Sequence, residues 1–137
     1  CRDHGYRYFC RGLPVLKDWI ISSELELRRL GAAPVGFRPP AGVVTPELKK
    51  ALRELDLPLV LWNKRFFDAV IPWTEGRARR SAARLPGGSL VLLHDRQKTS
   101  RIVNFCKTLG AYLDELGARG LKCEPLTAEI CAHGGIL

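Results

Sequence analysis

Residues 36–42 read Gly-Phe-Arg-Pro-Pro-Ala-Gly, and residues 88–95 read Gly-Ser-Leu-Val-Leu-Leu-His-Asp. In each stretch a reactive side chain, Arg38 or His94, directly follows what we interpret as a buried strand. Active sites of α/β folds collect where parallel strands end at their carboxyl termini. The two stretches therefore predict an α/β fold with one rim of an active site.

The apolar spacing around these stretches predicts helices that alternate with strands along the chain. Thr45, Thr74 and Thr127 precede three of the helical patterns, and a threonine hydroxyl is a good helix cap. The other two helices are expected from Asp18 to Gly31 and over residues 101–118. The predicted strands cover residues 34–38, 57–62, 89–93 and 122–126. Regular alternation of this kind favours a parallel sheet with right-handed crossovers.

Length and composition indicate one globular domain, residues 1–137, or part of one. The chain is 46% hydrophobic and 26% charged, which is ordinary for a folded domain. A complete α/β barrel usually needs about 200–250 residues. The 137 residues contain no methionine, so we expect a fragment or a processed product. No apolar run approaches the roughly 20 residues of a membrane helix.

The charge and the cysteines allow two further expectations. Much of the net charge of +8 lies in one segment, residues 77–84, which contains four arginines. Such a segment could attract an anionic polymer, but no aromatic residues interleave to stack on bases. We interpret it as a solvated helix face and expect no nucleic-acid partner. Cys106 and Cys123 lie within apolar patterns and are expected to be buried thiols.

The residue types at the strand ends suggest acid–base chemistry. A guanidinium held by prolines, as at Arg38, could orient a carboxylate, although an ordinary proline-rich turn is the alternative. His94 is suited to general acid or base catalysis near neutral pH. Asp68 lies in the loop after the preceding strand, where it could reach His94 and hold the ring. His4 and Tyr8 have the spacing of a two-histidine metal motif, but tyrosine is a poor zinc ligand.

Taken together and in this order, these segments resemble the polysaccharide deacetylase (NodB-homology) family of carbohydrate esterases. The third motif of that family, Arg-Pro-Pro-aromatic-Gly, resembles residues 38–42, and its fifth motif, Leu-x-His, resembles residues 92–94. Residues 60–63 with Asp68 resemble the fourth motif, and residues 4–8 resemble the metal-binding His-x-x-x-His motif. The resemblance covers nearly the whole chain and implies the C-terminal part of the family's domain.

The resemblance implies a partial, distorted (β/α) barrel whose N-terminal strands are missing. It also implies metal-dependent hydrolysis of an N-acetyl (sometimes O-acetyl) group on a polysaccharide or oligosaccharide. In the family a divalent metal, usually zinc, is bound by an Asp and two His, and it polarises the acetyl carbonyl and the attacking water. A second Asp is the general base, and the strand-end His is the general acid.

Carried over residue by residue, the resemblance gives each candidate a role. His94 would be the general acid, Asp68 the carboxylate that holds and tunes it, and Arg38 the residue that orients the base. His4 would be a metal ligand. The substrate contacts would come from Leu92, which lines the acetyl pocket, and from Pro40, Ala41 and Trp62.

The sequence departs from the family pattern at four places. The first motif, Thr-Phe-Asp-Asp-Gly, which supplies the base and a metal ligand, is absent and would lie upstream of residue 1. Tyr8 replaces the second metal-binding His, Ala41 replaces the aromatic of the third motif, and Ala69 stands where the fourth motif has Trp. We therefore expect weak or lost metal binding and no activity from this chain alone. The alternative is a non-catalytic carbohydrate-binding or cell-wall-associated relative.

Overall fold

Each half of the chain folds around its own hydrophobic core. The computed structural model describes Arg7 and residues 10–95 and 97–133. The first unit comprises Cys1–Leu61 and Pro125–Leu137, and the second comprises Trp62–Glu124. The two units are considered separately, and the single domain expected from the sequence stays a prediction.

Helix α1 of the first unit covers Leu13–Arg29, so the predicted start at Asp18 was wrong. Pro14 lies in the first turn, where a proline is tolerated because the first helical N–H groups have no partner within the helix. The helix buries one face in the core of the unit, comprising Leu16, Trp19, Ile20 and Ser23.

Helix α2 covers Pro46–Glu54, and its predicted start is confirmed. The Thr45 hydroxyl accepts a hydrogen bond from the Leu48 backbone N–H at 3.1 Å. Leu48, Ala51 and Leu52 are buried in the same cluster as the apolar face of α1. A side-chain cap and an apolar stripe, both visible in the sequence, are therefore sufficient to place this helix.

The two predicted strands of the first unit meet at one parallel bridge, between Phe37 and Leu59. The Phe37 N–H donates to the Pro58 carbonyl, and the Val60 N–H donates to the Phe37 carbonyl, each at 2.8 Å. Within the described residues the predicted strands over 34–38 and 57–62 do not extend beyond this bridge.

The second unit contains a two-stranded parallel sheet. Strand β1, Lys64–Arg65, pairs with β2, Val91–Leu92, with Lys64 opposite Val91 and Arg65 opposite Leu92. Strand β2 lies inside the predicted strand over 89–93, but β1 lies in a segment predicted as a loop. The parallel pairing matches the expected mixed α/β class. Helix α3, Glu75–Ala82, follows β1, and helix α4, Ile102–Ala118, follows β2 and a short 3-10 turn at Thr99–Arg101.

The buried face of α4 differs from the predicted one. From their helical spacing, Ile102, Cys106, Leu109, Leu113 and Leu116 are expected on one buried face. Leu116 is buried as expected, but the other buried residues of the helix are Thr108, Ala111 and Tyr112. The Thr108 hydroxyl donates to the Trp73 carbonyl at 3.3 Å, which turns this polar residue toward the core. The prediction of buried Cys106 and Cys123 was also wrong, since both are exposed.

At the end of the described chain, the predicted helix after Thr127 is present, whereas the predicted strand over 122–126 is not. Helix α5 covers Ala128–His133, and the Thr127 hydroxyl accepts from the Ile130 N–H at 3.2 Å, as a cap should. Residues 122–126 form no strand, because no described segment pairs with their backbone. None of the described helices is both long and apolar enough to cross a membrane.

Three aromatic side chains form the centre of the core in the second unit. Phe66 stacks on Trp73 with ring centroids 4.4 Å apart, and Tyr112 meets Phe66 edge-on at 5.4 Å. The Tyr112 hydroxyl is buried and has no hydrogen-bond partner among the described residues. Burial, with a smaller contribution from Cys123, raises the pKa of Tyr112.

Replacement of Tyr112 by Phe tests this packing. An unsatisfied buried hydroxyl costs about 1–3 kcal/mol, so near pH 8 we expect Tyr112→Phe to unfold at the same or a higher urea concentration than the wild type. Because the folded-state pKa is raised, the stability linked to this proton is present below about pH 10 and is lost as the pH rises through the folded pKa. The variant should therefore lose less stability than the wild type under alkaline conditions.

Ser81→Ala is the matched control for Tyr112→Phe. It removes another buried hydroxyl without a described partner but no proton that titrates in this range. It should leave the alkaline loss of stability unchanged. Equal alkaline losses in the wild type and in Tyr112→Phe would contradict the raised pKa.

Candidate functional site

Asp68 and His94 lie together at the carboxyl end of the two-stranded sheet. Each follows one strand of a parallel pair, so both lie at the same edge. Asp68 Oδ1 lies 3.1 Å from His94 Nδ1, and Asp68 Oδ2 accepts from the His94 backbone N–H at 2.8 Å. The structure thus brings together the carboxylate and the imidazole that the sequence could only place on neighbouring strand ends.

A tight turn after β1 gives Asp68 its direction. Phe67 has φ 57°, in the left-handed region that bulky residues rarely adopt. Its carbonyl accepts from the N–H groups of Val70 and Ile71 at 2.9 and 2.8 Å. Phe66, just before the turn, is buried in the aromatic core. One residue of strained backbone therefore separates a core side chain from the carboxylate of the site.

The two members of the pair differ in exposure. The Asp68 side chain is 1% exposed, and the His94 side chain is 44% exposed. A buried carboxylate needs hydrogen-bond donors, and Asp68 also accepts from Gln97 Nε2 at 3.1 Å. An ionised carboxylate can only accept, so when Asp68 is ionised the 3.1 Å contact requires a hydrogen on His94 Nδ1. Nε2 is then the ring nitrogen left for a partner in solution.

Two amide side chains that the sequence analysis did not select hold the two ends of this strand pair. Asn63 Oδ1 accepts from the Leu90 N–H at 3.0 Å, and the Asn63 N–H donates to the Leu90 carbonyl at 3.1 Å. These bonds fix the start of the pairing between β1 and β2. Gln97 holds the other end, through Asp68. The predicted substrate contacts Leu92 and Trp62 belong to this unit and are both partly buried.

The Arg38 turn lies in the first unit. Arg38 is exposed, whereas Pro39 and Pro40 are buried. The turn at Pro40–Gly42 closes through a 3.0 Å bond from the Gly42 N–H to the Pro39 carbonyl, and Ala41 has φ 54°. Prolines and a left-handed residue make this backbone well defined. The roles predicted for Arg38, Pro40 and Ala41 stay predictions.

Gly36 allows the chain before Arg38 to approach its neighbour closely. A Cβ at this position would lie 2.6 Å from Val60 Cγ2 and 3.0 Å from the Pro58 carbonyl oxygen. The second contact is with backbone, which cannot swing away as a flexible side chain would. Only glycine therefore fits beside the bridge between Phe37 and Leu59 without a shift of the chain.

Gly36→Ala should destabilise the protein by about 1–3 kcal/mol, the usual cost of overpacking. Gly110→Ala is the matched control, since Gly110 lies in α4 and a Cβ there meets nothing within 4 Å. Alanine in a helix interior should raise stability by about 0.5–1 kcal/mol. Chemical denaturation of both variants checks the prediction, and a Gly36→Ala protein as stable as the wild type would contradict it.

The described residues provide no complete metal site. They contain no group of three or more His, Cys, Asp and Glu side chains that could hold a metal ion. His4, the predicted metal ligand, and Tyr8 lie outside the described residues. The ligand set that the family resemblance implies therefore cannot be assembled from the described side chains.

The arginine-rich segment of α3 is exposed as predicted. Arg79 lies 3.8 Å from Glu115 of α4 in a half-exposed ion pair. Such surface pairs contribute little to stability. The buried residues of α3 are Ala78 and Ala82, so the arginines occupy the remaining faces of the helix.

The fold is similar to that of a family 4 carbohydrate esterase from Streptomyces lividans, solved in complex with acetate. The TM-score is 0.75 at 19% sequence identity, over 93% of this chain and 64% of that chain. The chain thus has a polysaccharide deacetylase-like fold, as its motifs led us to expect, and spans about 64% of the length of that esterase. No protein-family model and no curated protein matches the sequence.

Proposed function

We propose that this chain is part of a metal-dependent polysaccharide deacetylase that hydrolyses N-acetyl or O-acetyl groups of a carbohydrate polymer. The observation that carries the proposal is the half-exposed His94 imidazole held by the buried Asp68 at a strand end. The similar esterase was solved with acetate, which is the product that deacetylation would release. The resemblance of the Arg38 and His94 motifs supports the same reaction.

We also propose that the chain forms part of a distorted (β/α) barrel. Both strand contacts in the described residues, β1 with β2 and Phe37 with Leu59, are parallel. Parallel pairs joined by helices are the unit from which such barrels are built. The 137 residues would supply the C-terminal part of the barrel.

His94 would act as the general acid when the amide bond breaks. After water adds to the acetyl carbonyl, the bond between the carbonyl carbon and the sugar nitrogen breaks, and the nitrogen takes its electron pair. The proton on His94 Nε2 passes to that nitrogen, which leaves as an amine, and the imidazole becomes neutral. Asp68 would hold the ring in place and stabilise its positive charge before the transfer.

The other predicted residues complete the proposal. Arg38 would orient the base carboxylate, and the side chains of Leu92 and Trp62 with those of Pro40 and Ala41 would contact the substrate. His4 would contribute one ligand to a zinc ion. The described residues do not form that metal site, so the proposed chemistry of this chain is limited to proton transfer and substrate contact.

Acetate release from acetylated chito-oligosaccharide tests the proposed reaction. The 137-residue chain alone should release none, because the Thr-Phe-Asp-Asp-Gly motif that supplies the base is not in it. The longest natural form of the protein should release acetate. In that form, His94→Gln should lower kcat by about 10²- to 10⁴-fold, the usual contribution of an acid catalyst.

Lys98→Ala is the control for His94→Gln, since Lys98 is exposed in the same loop and has no proposed role. It should retain wild-type activity. Full activity of His94→Gln would remove the acid assignment. A longest form that releases no acetate from N- or O-acetylated glycans in the presence of zinc would overturn the deacetylase proposal.

Zinc binding separates the enzyme from the non-catalytic alternative. Tyr8 replaces a metal-binding histidine, so in the longest natural form Tyr8→His should raise zinc affinity by about tenfold or more. Adding His4→Ala should abolish that gain. Titration calorimetry and metal analysis check both variants. A natural form that binds acetylated glycan without stoichiometric zinc would favour the carbohydrate-binding relative.

A further inference from the structure

Gln97 contacts both members of the Asp68 and His94 pair. Its Nε2 donates to Asp68 Oδ2 at 3.1 Å and to the His94 backbone carbonyl at 2.9 Å. Its backbone N–H donates to the Asp95 carbonyl at 3.1 Å. The Gln97 backbone is therefore held by Asp95, and the Gln97 side chain bridges the Asp68 carboxylate and the His94 backbone.

We propose that Gln97 is a positioning residue that fixes the orientation of the Asp68 carboxylate and, through it, the tautomer of the His94 ring. It holds Oδ2 so that Oδ1 remains on His94 Nδ1, which keeps the hydrogen on Nδ1 and leaves Nε2 for the substrate. The importance of this tautomer rests on the proposed function, in which His94 Nε2 gives up the proton.

The argument depends on how donors are distributed over the two carboxylate oxygens. Oδ1 faces the ring nitrogen, and Oδ2 accepts from the His94 N–H and from Gln97. Two donors on Oδ2 resist rotation of the carboxylate, which would otherwise weaken the contact of Oδ1 with the ring. The Gln97 NH₂ group has two hydrogens, so it can donate to Asp68 Oδ2 and to the His94 carbonyl at the same time.

An uncharged amide suits this position for a second reason. A lysine or arginine could donate equally well but would add a positive charge beside the carboxylate that balances the imidazolium. Glutamine orients Asp68 without neutralising it. The tautomer of a histidine is commonly set in this way, by the hydrogen bond that one ring nitrogen makes.

The ratio of the two neutral tautomers of His94 measures this role directly. Long-range proton–nitrogen NMR spectra of the isotope-labelled 137-residue chain at alkaline pH distinguish hydrogen on Nδ1 from hydrogen on Nε2. The chain has three histidines, and His94→Gln identifies the signals of interest. We expect the wild-type ring to carry its hydrogen mainly on Nδ1.

Gln97→Ala should lower the ratio of Nδ1–H to Nε2–H about threefold to tenfold, the effect of losing one hydrogen bond in the network. Gln97→Met, which keeps the length of the side chain but cannot donate, should do the same and provides the test if the alanine variant does not fold. Asp68→Asn should shift the ratio further, since its NH₂ group can donate to Nδ1. Lys98→Ala should leave the ratio unchanged.

An unchanged ratio in a folded Gln97→Ala or Gln97→Met protein, judged by its circular dichroism, would overturn the proposal and leave Gln97 as a loop contact only. A lowered ratio supports it. The tautomer ratio is measured without catalysis. A negative acetate assay would therefore overturn the deacetylase proposal without affecting the tautomer result, and an unchanged tautomer ratio would overturn the role of Gln97 without affecting the acetate assay.

Discussion

A buried carboxylate is the constraint on which the second unit depends. The Asp68 side chain is 1% exposed, and leaving such a group without donors would cost several kcal/mol or more. Among the described residues it has three donors, which come from His94 and Gln97 in one short segment after β2. The turn after β1 and the loop after β2 must therefore adopt their conformations together. The two-residue strands keep this edge in register, and the hydrogen bonds of Asp68 connect the turn after β1 to the loop after β2.

The strain at this site is offset by the packing beneath it. Phe67 adopts φ 57°, a conformation that costs on the order of 1–3 kcal/mol. The preceding Phe66 is buried between Trp73 and Tyr112, and full burial of an aromatic side chain contributes about 1.5–3 kcal/mol. The aromatic core thus compensates for the turn that directs Asp68 toward His94, so core and site are energetically coupled.

The sequence predicted the elements whose signals are local and missed those that need a partner. Thr45 caps α2 through its own side chain, so residues within one helical turn determine where this helix begins. Strand β1, Lys64–Arg65, is formed by pairing with Val91–Leu92, and two charged residues show no strand pattern. The α4 face was misassigned because Thr108 is drawn inward by the Trp73 carbonyl. The neighbourhood of Asp68 and His94 was predictable because parallel strands end at one edge, whereas Asn63 and Gln97 carry no periodic signal.

The energetics of the pair favour a functional origin for it. A buried carboxylate is costly to desolvate, and even with a partner it is on average no more stabilising than well-packed apolar residues of similar volume. Such residues could hold this strand pair together, yet it has a buried carboxylate, a strained Phe67 and two amides that satisfy backbone and carboxylate groups. Stability alone gives no reason for this combination. The proposed function gives such a reason. His94 is held through one ring nitrogen and is half-exposed to solvent, and a proton donor needs both a defined direction and access to its substrate.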